Sequence, residues 1–149
     1  MFKYNQENIE KIQNSEDVIM IRTCKNNRGH FLCGYLTSGE EIQLTKPQPY
    51  ITYPFAPFKY FIGNEDKNFW QNMIVLFDDI AINKQYLTKF SYNDCADDKK
   101  RFDLYVYFTN NTHYMLAQPQ KKYFFDIMYP EMVSKFDVDI EKSETGLTI

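Results

Sequence analysis

FDLYVYFTNNTHYMLA, residues 102–117, is the stretch that decides the fold class. Over its first seven residues, apolar side chains alternate with polar and tyrosine side chains, which is the pattern of a strand with one buried face. Thr109–Thr112 then forms a turn, and His113–Ala117 returns as a second strand. The stretch therefore predicts a β-hairpin, and its buried face consists of Phe102, Leu104, Val106 and Phe108.

A second hairpin is predicted upstream. Asp17–Cys24 is apolar on both faces at its start, as in a central strand, and His30–Leu36 reads as its return strand. Lys25–Gly29 connects them as a turn. A further turn and a short strand at Glu41–Leu44 follow, so this part of the chain supplies three strands.

Three helices are predicted around these hairpins. Asn5–Asn14 forms a short N-terminal helix, Asp66–Ile80 a central helix, and Gln120–Phe136 a C-terminal helix that is interrupted near Pro130. The apolar run Met73–Phe77 also fits a buried strand, which is the alternative for that part of the central helix. The central helix is predicted because the following residues recur at helical spacing: Phe69, Trp70, Met73, Ile74, Phe77 and Ile80.

The remaining segments are mostly polar. Lys84–Phe90 either extends the central helix or forms another short helix, and Ser91–Arg101 is a polar loop. The chain ends in a polar tail, Asp137–Ile149, with one short strand at Asp137–Ile140. Its last roughly ten residues are expected to form a loose end.

The order of elements predicts an α+β fold. It is either a mainly antiparallel sheet or a small five-stranded, OB-like barrel, with an N-terminal helix, a central helix near 66–80 and a C-terminal helix near 120–136. The 149 residues are the usual length of one domain, so we expect a single compact domain over 1–149. The order of elements alone says nothing about function.

The composition is that of a folded protein with an unusual number of rings. Hydrophobic residues make up 44% and charged residues 25%, while thirteen Phe, twelve Tyr and one Trp bring the aromatic share to 17%. AT-rich codons for Phe, Tyr, Ile, Asn and Lys account for part of this excess. The net charge of −3 lacks the basic character of proteins that bind duplex phosphates, so the balance favours a protein partner.

Three features bear on location. Residues 1–7 lack the apolar core of a secretory signal, and the longest apolar run is far shorter than a membrane span. The three cysteines have no framework spacing, which fits a reducing compartment. We therefore expect a cytoplasmic protein of its own cell or of a host cell, without membrane association, and the composition suggests a viral or mobile-element origin.

No pattern in the chain predicts catalysis, a metal or a cofactor. Cys24 and Cys33 lie too far apart along the chain for a zinc knuckle, and we interpret them as packed free thiols. His30 and His113 both adjoin turns and lack a neighbouring nucleophile motif. The scattered acidic residues show no nuclease order, and the five glycines form neither a P-loop nor a dinucleotide fingerprint.

The surplus rings are the remaining candidates for binding. Tyr105 and Tyr107 share the strand face opposite the apolar set, and either Tyr114 or the pair His113 and Met115 joins them, depending on register. The alternative is that the C-terminal helix covers this face and makes the tyrosines part of the core. A second ring cluster is punctuated by prolines and contains Tyr50, Tyr53, Phe55, Phe58 and Tyr60.

Three functions follow from these observations. The first is a non-catalytic protein-binding module, either an inhibitor, an adaptor or a small accessory subunit of a complex, in which these rings contact another protein. The alternative is an OB-like protein that binds single-stranded nucleic acid, with Lys59, Lys121 and Lys122 as contacts beside the rings. The third is a small enzyme with an unrecognised site. Nothing in the sequence indicates an oligomeric state.

Overall fold

A computed structural model describes residues 5–13, 17–49, 72–77, 79–138 and 140–143. The chain divides into two compact units, Met1–Gln85 and Tyr86–Ile149. Each unit has its own sheet, and the strands are almost all antiparallel. The predicted α+β fold with mainly antiparallel sheets is therefore confirmed, while the single domain over 1–149 stays a prediction.

The first unit contains a five-stranded antiparallel sheet in the order β3-β2-β1-β5-β4. Its strands are β1 (Val18–Asn26), β2 (Gly29–Leu36), β3 (Glu41–Gln43), β4 (Met73–Leu76) and β5 (Ile80–Asn83). The first two form the predicted hairpin, whose turn is closed by Gly29 at a φ of 130°. β1 lies at the centre of the sheet, which explains why its first residues are apolar on both faces.

One face of this sheet packs against the N-terminal helix α1 (Gln6–Gln13). Ile9 and Ile12 lie on the buried side of α1 and join the core formed with sheet residues such as Ile21 and Leu32. The Asn5 side chain accepts a hydrogen bond from the Asn8 backbone N–H at 3.1 Å and so caps the helix. The predicted N-terminal helix is confirmed, and its two isoleucines are the residues that attach it.

The predicted central helix is wrong where the structure describes it. Met73–Leu76 and Ile80–Asn83 form the β4–β5 hairpin, and β5 pairs with β1 through Ile82 opposite Met20. The strand alternative for this apolar run is the correct one, because pairing with the buried centre of a sheet outweighs a helical spacing of apolar residues. Residues 66–71 lie outside the described part of the chain.

The second unit contains a four-stranded sheet in the order β8-β7-β6-β9. Its strands are β6 (Leu87–Asp94), β7 (Phe102–Phe108), β8 (His113–Ala117) and β9 (Ile140–Lys142). The predicted β7–β8 hairpin is confirmed with its turn, where Asn111 adopts a φ of 68°. β9 is an edge strand that pairs in parallel with β6, whereas the tail strand was expected slightly earlier, at Asp137–Ile140.

Two segments before β7 were assigned incorrectly. Lys84–Phe90 was expected to be helical, but only the 3₁₀ turn Lys84–Tyr86 is, and β6 begins at Leu87. The predicted loop Ser91–Arg101 is a strand up to Asp94. Its polar residues gave no strand signal, and burial along LTKFSYND does not alternate, since the adjacent Phe90 and Ser91 are both buried.

The C-terminal helix is confirmed over residues 121–136. It consists of α2 (Lys121–Tyr123), a π-helical turn (Phe124–Met128) and α3 (Tyr129–Phe136). The backbone N–H of Tyr129 donates to the carbonyl of Phe124, five residues back. The irregularity therefore precedes Pro130, which sits at the start of α3, where a missing N–H is tolerated.

The barrel prediction is not confirmed. Within the described residues both sheets are open, with β3 and β4 at the edges of one and β8 and β9 at the edges of the other. No helix in the described part of the chain is long and apolar enough to cross a membrane.

Candidate functional site

The register of the second sheet decides which rings share a face. Tyr105 pairs with Met115 and Tyr107 with His113 across β7 and β8, while Lys89 on β6 lies opposite Tyr107. Residues paired directly across antiparallel strands point to the same side. We call the surface formed by Lys89, Tyr105, Tyr107, His113 and Met115 the tyrosine face.

Tyr114 does not belong to the tyrosine face. It pairs with Val106, and its ring contacts that of Phe108 on the opposite side of the sheet, with centroids 6.1 Å apart. From the sequence, either Tyr114 or its two neighbours could join the tyrosines. The register selects His113 and Met115.

The C-terminal helix packs against the other face of this sheet. Phe136 meets Phe90 at 5.2 Å between ring centroids, and Phe124 meets Phe102 at 5.4 Å. The buried residues of the helix recur every four positions, at Phe124, Met128, Met132 and Phe136. The helix therefore covers the phenylalanine side and leaves the tyrosine face on the other side.

The rings of the tyrosine face contact one another. Tyr107 and His113 stack with centroids 5.2 Å apart and an interplanar angle of 22°, and Tyr105 meets the edge of His113 at 6.0 Å. Tyr105 and Tyr107 are partly exposed, and Met115 is 42% exposed. Partial burial raises the pKa of Tyr105. A tyrosine hydroxyl can both donate and accept a hydrogen bond.

A lysine and a glutamate extend this surface, and neither was predicted from the sequence. The Lys89 ammonium lies 5.1 Å from the centre of the Tyr107 ring and pairs with the Glu141 carboxylate at 2.7 Å. The hydrogen bond from Lys89 to Glu141 raises the pKa of Lys89. The position of Lys89 in the strand β6 could have been predicted from the sequence. Glu141 lies next to Lys89 because β9 pairs in parallel with β6, and no local sequence pattern indicates that pairing.

The two C-terminal lysines proposed as nucleic-acid contacts lie elsewhere. Lys121 pairs with Asp94 at 2.9 Å and lies over the ring of Phe102, on the helix side of the sheet. That ion pair also lowers the pKa of Asp94. Lys122 is exposed on the same helix. Neither lysine lies on the face of the sheet that carries Tyr105 and Tyr107.

The C-terminal helix carries most of the large hydrophobic side chains that are exposed in the described residues. Tyr123 is 54%, Phe125 48%, Ile127 51% and Val133 45% exposed. Phe125 also packs edge-on against Phe102 at 5.5 Å, so its ring is fixed on one side. These four side chains are exposed along the helix in the same unit.

The other predicted contacts are a ring cluster and one lysine. The ring cluster of Tyr50, Tyr53, Phe55, Phe58 and Tyr60, together with Lys59, lies outside the described residues. It stays a prediction.

In the first unit, one side-chain cluster has chemical character. Cys24 on β1 is hydrogen-bonded to the Tyr35 hydroxyl on β2 at 3.2 Å, and the Cys33 thiol, also on β2, donates to the carbonyl of Gly34. His30 is near the turn of the same hairpin. In the ranges that the structure describes, no three side chains of His, Cys, Asp or Glu converge as metal ligands.

Comparison with known proteins finds no matching family model, no matching curated protein and no matching solved structure.

Proposed function

We propose that this chain is a non-catalytic protein-binding module, of the inhibitor, adaptor or accessory-subunit kind, and that the tyrosine face contacts the partner. One observation carries the proposal: the C-terminal helix packs on the opposite face of the sheet, through contacts such as Phe136 with Phe90. The C-terminal helix, which was the alternative cover for the tyrosines, therefore does not cover them.

The chemistry of the surface suits a protein partner. Tyrosine supplies a large apolar contact area with a polar end and loses little side-chain entropy on binding, so it is common at interaction hot spots. Stacking of Tyr107 on His113 restricts both rings before any partner arrives. A preordered ring pair lowers the entropic cost of association.

Charge favours a protein over a single-stranded nucleic acid. The Lys89 ammonium is paired with Glu141 at 2.7 Å, and Asp103 lies on the same side of β7 as the tyrosines. A binder of single strands combines stacking rings with a positively charged groove, whereas here carboxylates outnumber the ammonium groups. The OB-like nucleic-acid binder remains the alternative proposal.

Photocrosslinking tests the proposal. A photoreactive residue at Met115, which is 42% exposed, is incorporated into the full chain and irradiated in an extract of the source cells. We expect discrete protein adducts that disappear when Tyr105→Ala and Tyr107→Ala are combined. If the double variant gives the same adducts, the tyrosine face is not the contact surface. If the adducts are sensitive to nuclease, the partner is a nucleic acid, as in the alternative proposal.

A variant on the exposed helix surface is the matched control. Tyr123→Ala removes a tyrosine that is 54% exposed in the same unit but lies on the helix. It is expected to keep the adducts formed at Met115. A circular dichroism spectrum of each variant shows that a loss of adducts does not come from unfolding.

A further inference from the structure

One part of the tyrosine face combines an aromatic ring, a cation and a carboxylate. The Lys89 ammonium lies 5.1 Å from the centre of the Tyr107 ring and pairs with the Glu141 carboxylate at 2.7 Å. The face of an aromatic ring carries partial negative charge, so the ring and the carboxylate both attract the ammonium group. We call this arrangement a ring–cation–carboxylate triad.

A second triad lies on the helix side of the same sheet. The Lys121 ammonium lies 5.1 Å from the centre of the Phe102 ring and pairs with the Asp94 carboxylate at 2.9 Å. Both cations that lie over rings in the described residues therefore also pair with a carboxylate.

Tyr105 has the ring and the carboxylate of such a triad but not the cation. Asp103 lies two residues earlier on β7, on the same side of the strand, and burial together with the Asp103 charge raises the pKa of Tyr105. Within the described ranges, no ammonium or guanidinium group lies over the Tyr105 ring or pairs with Asp103. Asp103 instead accepts a hydrogen bond from the neutral amide of Gln118 at 2.8 Å.

The strand register explains why this cation is missing. Lys89 lies opposite Tyr107 on β6, whereas the residue opposite Tyr105 is Ser91. A serine side chain is too short to extend over a neighbouring ring as a lysine does. The position that Lys89 fills beside Tyr107 is therefore not filled by β6 beside Tyr105.

The cation immediately before β7 is engaged elsewhere. Arg101 pairs with Asp98 at 3.3 Å and donates to the backbone carbonyl of Gln118 at 2.8 Å. Its guanidinium already has partners, so it does not complete the arrangement of Tyr105 and Asp103.

The charge around Tyr105 also favours a cationic ligand. Ser91 lies between Tyr105 on β7 and Glu141 on β9. Two carboxylates, those of Asp103 and Glu141, therefore lie beside this position, and one ammonium group, that of Lys89, opposes them. Such a surface attracts a cation of the partner and repels an anion.

We propose that the partner contributes an arginine whose guanidinium stacks on the Tyr105 ring and pairs with the Asp103 carboxylate. This rests on the proposed function, because it names the chemistry of the partner at the tyrosine face. Residues two apart on a strand are separated by about 7 Å, so one guanidinium can contact both side chains. Arginine fits better than lysine because its planar group stacks on a ring while its edge donates two parallel hydrogen bonds to a carboxylate.

The first experiment identifies the side chains that the tyrosine face selects. A phage-displayed library of random peptides is depleted on the double variant Tyr105→Ala with Tyr107→Ala and then selected on the wild-type chain. We expect arginine to be more frequent in the enriched peptides than in the unselected library. If arginine is not enriched, or acidic residues are enriched instead, the inference is wrong.

Failure of this inference is distinguishable from failure of the proposed function. Protein adducts at Met115 that depend on Tyr105 and Tyr107 support the proposed function whichever side chain the partner uses. The same adducts together with a selection that lacks arginine would leave the interface in place and remove its arginine contact.

The second experiment tests the pairing with Asp103. The dissociation constant of a selected peptide is measured by calorimetry for the wild type and for Asp103→Asn, which should bind about tenfold more weakly because a charge-assisted pair is lost. Replacing the peptide arginine by citrulline, which has a similar shape without the charge, should weaken the wild-type complex to a similar extent. In Asp103→Asn the same replacement should have little further effect. Two independent, additive losses would place the arginine away from Asp103.

A lysine opposite Tyr105 should complete the triad within the chain. Ser91→Lys places an ammonium group at the position that Lys89 has beside Tyr107, so it is expected to compete with the peptide and weaken binding. Unchanged affinity in a folded Ser91→Lys variant would contradict the proposed position of the arginine. If this variant does not fold, the measurements on Asp103→Asn and citrulline still decide.

Asp126→Asn is the matched control. It removes an exposed carboxylate of the same unit that lies on the C-terminal helix, and the peptide affinity should stay within about twofold of the wild-type value. A single-stranded oligonucleotide is added as a competitor. If it displaces the peptide, the surface prefers an anion and the inference is overturned.

Discussion

At the scale of single residues, Gly34 shows how closely α1 approaches the first sheet. It lies on β2, opposite Ile21 of β1 and Ile42 of β3, on the face that α1 covers. A Cβ atom at Gly34 would lie 2.8 Å from Cδ1 of Ile12 and 3.8 Å from Cδ1 of Leu44. The absence of a side chain at this position is what lets Ile12 reach the sheet.

We expect Gly34→Ala to destabilise the chain by about 1–2 kcal/mol, because overpacking of a core costs about that much. The cost should lie at the lower end of the range for overpacking, since the clashing atom is the end of a flexible side chain. Urea unfolding followed by circular dichroism measures the change.

The double variant Gly34→Ala with Ile12→Val separates the clash from other effects. Ile12→Val removes the Cδ1 atom and on its own costs about 0.5–1.5 kcal/mol. Combined with Gly34→Ala, the loss should be smaller than the sum of the two single losses. A fully additive result would mean that Ile12 does not limit the space at Gly34.

At the scale of elements, the π-helical turn keeps the C-terminal helix on the sheet. A regular α-helix turns about 100° per residue, so residues four apart drift sideways by about 40° at each step. The wider turn at Phe124–Met128 offsets part of this drift. Four residues spaced by four, from Phe124 to Phe136, are therefore all buried.

Neighbouring residues of this helix should respond very differently to truncation. Met132 is fully buried and Val133 is 45% exposed. We expect Met132→Ala to cost about 2–5 kcal/mol, because it leaves a cavity, and Val133→Ala to change stability by no more than about 0.5 kcal/mol. Urea unfolding of the two variants compares them, and similar losses would mean that the helix packs with a different face.

At the scale of the whole molecule, each of the two units has its own sheet. The first contains five strands with β1 at the centre, and the second contains four strands with β6 and β7 inside. Each unit therefore has its own hydrogen-bond ladder. A single domain would open with one free energy throughout, whereas two sheets with separate ladders can open with different free energies.

We expect hydrogen exchange in increasing urea to resolve two cooperative groups of amides. Amides of β1 and β2 should share one opening free energy and those of β6 and β7 another, because each ladder opens as a unit. Mass spectrometry of peptides from Val18–Leu36 and Leu87–Phe108 measures both. One common opening free energy for all four strands would instead favour the single domain predicted from the sequence.

The sequence by itself determined the elements whose signal is local. Strict alternation in Phe102–Phe108 identified β7, the turn residues after it identified the hairpin, and the spacing of Ile9 and Ile12 identified the buried side of α1. The same alternation put Tyr105 and Tyr107 together on one face. In each case the side-chain period and the turn residues lie within a few positions of one another.

Only the tertiary structure decided what depends on distant parts of the chain. Met73–Leu76 and Ile80–Asn83 are strands because β5 pairs with β1, about sixty residues earlier in the chain. The C-terminal helix covers the phenylalanine face and not the tyrosine face, and β9 brings Glu141 to Lys89. Long-range pairing and packing release free energy only when separate segments meet, so no local pattern contains them.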